Sequence, residues 1–217
     1  KVTPAGVLTA TAGVFGSWTI VGNSFSVAGG SILVGGTAGN ALAGGTGNVM
    51  LGSAAGLLAT LADNSVFVGD NSGDDITTGD SNTFLGANSG QGVITGGRNV
   101  IIGASAGSSL STVSGSIAIG VNATVTALEQ MVIGGLNFGI GDVYIGNGVT
   151  NATPFGVTIQ NSGASGANVA GANLVIAAGK STGSAAGGSI ILATSPAGVA
   201  GSALNALVTA MTISSAQ

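Results

Sequence analysis

The chain has 217 residues, 42 of them Gly, with no Cys, no His and a formal net charge of −4 from only ten charged side chains. Gly does not fall on every third position, which excludes a collagen, and charge is too scarce for the disordered class, which needs many charges and few aliphatics. Three scattered cations (Lys1, Arg98, Lys180) cannot track a phosphate backbone, and no apolar run reaches the roughly 18 residues of a spanning helix, so neither nucleic acid nor membrane insertion is expected.

Residues 1–30 read as a lead-in or capping segment. The opening at Lys1, without Met or a signal peptide, leads us to expect a processed or partial product. From Ser31 the chain falls into rows of seventeen that begin SILVGGTAG, NVMLGSAAG, SVFVGDNSG, NTFLGANSG, NVIIGASAG and SIAIGVNAT. Gly35, Gly52, Gly69, Gly86, Gly103 and Gly120 stand seventeen apart. Gly39, Gly56, Gly73, Gly90 and Gly107 form a second column, which Thr124 breaks. After Gly120 the spacing contracts to Gly134 and then Gly146, under the headings QMVIG and DVYIG. A fixed period of this kind is the mark of a solenoid, and residues 31–155 are expected to form it.

Each row opens on a small polar residue (Ser31, Asn48, Ser65, Asn82, Asn99 or Ser116), runs through three mostly β-branched or aliphatic residues and meets Gly. That composition predicts a short strand. Gly takes positive φ without a Cβ penalty, so the six glycines of the first column are assigned as structural turn residues. A second apolar point at Leu42, Ala59, Ile76, Val93 and Leu110 predicts a second short strand, hence two strands and two turns per coil. Coils stacked about 4.8 Å apart place equivalent residues above one another, with aliphatic columns inside and Asn/Ser ladders along the turns. The expected architecture is an all-β parallel β-roll or β-solenoid with coils of about 17 residues, followed by a C-terminal β module over 156–217.

Strand alternation adds a further expectation. Val49/Leu51, Val66/Val68, Val100/Ile102 and Ile117/Ile119 face one way; Met50, Phe67, Phe84, Ile101 and Ala118 face the other. Both columns are apolar, whereas a solitary solenoid needs only one such column. One is therefore expected to fill the chain's own roll and the other to meet partner chains.

At this point the residues resemble known families. SIAIGVNATVTALE (Ser116 to Glu129), fourteen residues from one Gly to the next, is similar to the repeat of trimeric autotransporter adhesin heads, which are left-handed parallel β-rolls. The rows NTFLGANSG and NVIIGASAG resemble repeats of bacteriophage tail fibres. GASGANVAGANLVIAAGKSTGSAAGGSIIL and then SALNALVTAMTI (Ser202 to Ile213) resemble the region of phage fibres just before a self-cleaving intramolecular chaperone. The likeness covers roughly residues 48 to 213. It implies a homotrimer, matured by cleavage near Gln217 or continued beyond it, located on a virion or, for an adhesin, outside the cell.

Several motifs bear on chemistry. GASAG (Gly103 to Gly107) matches a GxSxG nucleophile elbow around Ser105, yet both glycines belong to the repeat columns and no His is present to act as base. GGTGNVML (Gly44 to Leu51) resembles a calcium-binding nonapeptide, with Asn48 in place of its Asp and no recurrence. Asp70, Asp74, Asp75 and Asp80 concentrate carboxylates of the kind a hard cation such as Ca²⁺ takes; the blander reading is a solvated loop that keeps the rod soluble. Trp18, Phe25, Tyr144 and Phe155 could serve as sugar platforms or as packing. Eight aromatics in all do not furnish the girdles of a transmembrane barrel, and Thr is too irregular for an ice-binding array. No catalytic residue and no cofactor is expected. The sequence reading is a non-catalytic phage attachment fibre, shaft or receptor-facing, whose partners are two identical chains and a host cell-surface receptor, a glycan among the candidates. The alternatives are a bacterial adhesin head and an ice-binding or other surface-binding solenoid.

Overall fold

Short apolar triplets flanked by a polar residue and Gly can form only brief strands, and each row indeed contributes three residues to a parallel sheet. The computed structural model describes residues 18–21, 24–27, 30–143, 145, 157–160, 165, 168, 170–197 and 204–215. β1 (Trp18–Val21) and β2 (Ser24–Val27) form an antiparallel hairpin. They are followed by β3 (Ile32–Val34), β4 (Val49–Leu51), β5 (Val66–Val68), β6 (Thr83–Leu85), β7 (Val100–Ile102), β8 (Gly107–Ser108), β9 (Ile117–Ile119), β10 (Thr124–Val125) and β11 (Met131–Ile133). β12 (Ile190–Thr194) and β13 (Val208–Ile213) close the described chain. No helix occurs among the described residues, so none is long and apolar enough to cross a membrane.

Seven strands, β3-β4-β5-β6-β7-β9-β11, make one parallel sheet. The register is strict: Val49 pairs with Val66, Val66 with Thr83, and Thr83 with Val100. Each coil therefore stacks on the previous one at seventeen residues, and the protein is an all-β solenoid of about six turns. The shortened coil keeps the register, since Ile117 pairs with Met131 fourteen residues later.

The first-column glycines show why the period tolerates no drift. Gly35, Gly52, Gly69, Gly86, Gly103 and Gly120 hold φ between +126° and +148°, a region an L side chain rarely adopts. A Cβ on Gly52 would lie 2.2 Å from the carbonyl oxygen of Gly69 in the next coil. Turn conformation and coil-to-coil approach both require Gly here.

Inside the roll, Met50, Phe67, Phe84, Ile101 and Ala118 are fully buried, joined by Ala59, Ile76, Val93, Val113 and Val125 from the other side. Phe67 and Phe84 stack with ring centroids 5.2 Å apart. Two expectations are corrected. Coils carry one regular strand rather than two: on the far side β8 and β10 are the only strand pair among the described residues, extended by a single parallel bridge from Gln91 to Gly107, because turns with positive φ near residues 71–73 and 88–92 interrupt extended backbone there. Leu110 does not continue the second apolar column; it is exposed, and Val113 occupies the core in that coil. The heading DVYIG adds no strand among its described residues, and Tyr144 lies outside them.

A buried polar ladder runs beside this core. Asn48 N–H donates to Ser31 Oγ (3.1 Å), Ser65 N–H to Asn48 Oδ1 (2.9 Å), and Asn82 N–H to Ser65 Oγ (3.1 Å). Asn99 N–H donates to Asn82 Oδ1 (3.0 Å), and Ser116 N–H to Asn99 Oδ1 (3.0 Å). The small polar residue that opens each row is thus the acceptor for a buried N–H of the next coil, a group that is costly to leave unpaired. Gln130 ends the ladder: its N–H donates to Ser116 Oγ, while its Oε1 accepts from Thr126 N–H in its own turn.

The compact units are Lys1–Val143 and Tyr144–Gln217. In the second, β12 and β13 form an antiparallel hairpin whose register shifts between Leu192 and Ala193.

Candidate interaction face

The strand triplets settle which apolar column faces out. The middle residue of each triplet points into the roll, and the first and third point away from it. On seven strands this makes fourteen outward positions, and only Thr83 among them is not apolar. Val34, Leu85, Met131 and Ile133 are about half exposed or more, and Val49, Val66, Val68, Val100 and Ile102 are half-buried by their neighbours along the sheet. Six strand steps of about 4.8 Å give the stripe a length of about 29 Å, and three residues give it a width of about 10 Å. It is continuous and uncharged. Such a face can bury apolar area against a complementary surface but carries no group able to do acid–base or metal chemistry.

The four aspartates flagged in the sequence do not gather into one site, although Asp74 and Asp75 are neighbours. Asp70 follows the end of β5 and is exposed, its Oδ2 3.5 Å from Asn71 Nδ2. Asp80 precedes the start of β6, and its Oδ1 accepts from Asp63 N–H at 2.8 Å. Asp63 in turn accepts from Thr46 N–H. Asp63 and Asp80 therefore perform, one coil apart, the stacking role that Asn and Ser play in the buried ladder; the sequence reading missed this because it took Asp80 for a member of a cluster. Asp75 Oδ2 accepts from Gly92 N–H at 3.3 Å. Asp74 Oδ1 is buried without a partner, and burial, aided by the charge of Asp75, pushes its carboxyl above the ordinary value of 3.8. Among the described residues no three His, Cys, Asp or Glu side chains are placed to hold a metal ion.

Ser105 of GASAG sits in a left-handed turn at φ +54°, with its N–H donated to Ala87 O. Ala54 occupies the equivalent turn at the same φ, three coils earlier, so the position selects for a turn rather than for a hydroxyl. Asn48 of the nonapeptide-like segment is buried in the ladder. Of the aromatic candidates, Trp18 and Phe25 lie on β1 and β2, but their side chains, like Tyr144 and Phe155, fall outside the described residues. The chain matches no protein-family profile, no curated protein and no solved structure.

Proposed function

We propose that this chain is a non-catalytic, host-attachment segment of a phage tail fibre, either shaft or receptor-facing part, that works on the virion as a homotrimer. The observation that carries the proposal is the outward stripe: a solenoid that already has its own core presents a second, continuous apolar face, which a soluble monomer would avoid. Closed cyclic assembly lets every chain bury the same stripe. The row sequences and the Ser202 to Ile213 segment, similar to fibre sequences, support a virion over other settings. The receptor side is a host-cell surface group, with glycans the first class to screen.

Light scattering on the purified chain should give three times the 20.1 kDa chain mass. Val68→Asp together with Ile102→Asp, both outward, should abolish assembly while leaving the β-sheet circular dichroism of the roll. The assembled chain should adsorb to susceptible bacterial cells and compete with virions for them. A well-folded monomer at micromolar concentration would sink the trimer and the fibre with it.

The adhesin-head reading is favoured by one feature, the fourteen-residue coil from Ser116 that stays in sheet register. The gene beyond Gln217 separates the two: a chaperone domain means phage fibre, a membrane-anchor barrel means adhesin.

A further inference from the structure

The roll and the C-terminal unit differ in how they are filled. The roll has a fully buried apolar interior. In the second unit no described residue is buried, and only Ala178, Gly187 and Ile190 are even half-buried. Yet the sequence there is apolar, and Lys180 is the only charged side chain between Tyr144 and Gln217.

The hairpin makes the mismatch concrete. Directly paired residues of an antiparallel pair share a face, so Ile190 with Ile213 and Leu192 with Met211 form one apolar face. Leu192, Met211 and Ile213 on that face are each about half exposed, as is Val208, which the register shift brings to the same face opposite Thr194; Ile191 on the reverse face is more so. A lone two-stranded hairpin is marginal in water at best, and this one carries an exposed apolar face with no third strand on either edge among the described residues. Something must cover it.

We propose that the occupant is the same hairpin of other copies of this chain, so that the C-terminal unit completes its core only on assembly. This deepens the homotrimer reading and rests on it. Two observations favour a second copy over a foreign partner. First, a unit with one charge in 74 residues has nothing with which to select a charged partner, whereas identical open edges and identical apolar faces are self-complementary. Second, the areas match. Thirteen large hydrophobic side chains of the second unit, from Ile145 to Ile213, are about half exposed or more; at about 60–120 Å² each when whole, they present an area on the order of the roughly 800 Å² per partner of a stable interface.

The test uses the full chain. Leu192→Ser with Met211→Ser should reduce the mass from three chains to one at about micromolar concentration. Amides of β4 to β9 should keep their slow hydrogen exchange in that variant. In the unmodified chain, amides of β12 and β13 should be protected, and should lose protection on dilution in step with the mass. Retention of the parent mass by the variant overturns the hairpin proposal and leaves the homotrimer standing. Assembly into a different number of chains, lost in the variant, upholds the hairpin and overturns the three-fold count. A monomeric unmodified chain overturns both.

Discussion

Asn82 shows how much a single position carries in this fold. Its Oδ1 accepts from Asn99 N–H at 3.0 Å and from Asn99 Nδ2 at 3.1 Å, while its own Nδ2 donates to Gly96 O at 2.9 Å. All of this is buried, where an unpaired backbone group costs about 1–3 kcal/mol. Asn82→Ala should therefore lower unfolding stability by about 2–4 kcal/mol, read as a fall in the urea midpoint at fixed chain concentration. Asn82→Ser should cost about half as much, because a hydroxyl can accept the next coil's N–H as Ser65 Oγ does from Asn82. Equal losses for the two variants would show that the ladder's acceptor is not what matters.

Asp74 is the residue at which pH should tell. Its carboxyl is pushed up by burial and by Asp75, so the folded chain holds this proton more tightly than the unfolded chain does. Stability must then fall as pH rises from the ordinary value of 3.8 through the raised value, and the penalty is absent below 3.8. Asp74→Asn should stabilise the protein at pH 7, with the advantage shrinking on acidification and gone by pH 3.8. A constant difference between variant and parent across that range would refute the assignment.

At the scale of the coil, the controlling element is the inward column. Phe67 is fully buried, stacks on Phe84 and packs beneath Gly73, where a Cβ would come within 2.9 Å of its ring. Truncation there leaves a cavity that neighbouring coils, pinned by backbone bonds on both sides, cannot close. Phe67→Ala should cost about 3–5 kcal/mol, and Phe67→Leu clearly less, measured by the same urea titration. A loss below about 1 kcal/mol for Phe67→Ala would mean that the roll's interior is not close-packed. Charge placed on this column strikes folding, whereas charge on the outward column strikes assembly; that distinction follows from which face the structure turns inward.

For the whole molecule, two units of opposite character share one chain: a solenoid filled by its own side chains and a C-terminal unit that has no buried described residue. The solenoid was legible from residues because each coil meets the same surroundings as the last. Stacking at a fixed spacing selects Gly at one point, an aliphatic triplet at another and Asn or Ser at a third, and the repetition prints that selection into the sequence as a period of seventeen. Other features left no such print. Left-handed turns at Asn64, Ser81 and Arg98 are held by three different residue types, because at these positions only backbone conformation is shared. Leu110 and Val113 trade places between surface and core through local turn geometry that composition does not encode. Asp63 and Asp80 read as free charge although their oxygens serve the stack. The sequence by itself determined the all-β class, the period, the turn glycines and the polar ladder, since each depends only on contacts between equivalent residues. Only the tertiary structure decided that Met50, Phe67, Phe84, Ile101 and Ala118 point inward while Val68, Ile102 and their column face out. Strand alternation makes the two columns opposite but, with both apolar, carries no sign; the direction in which the chain closes on itself supplies it.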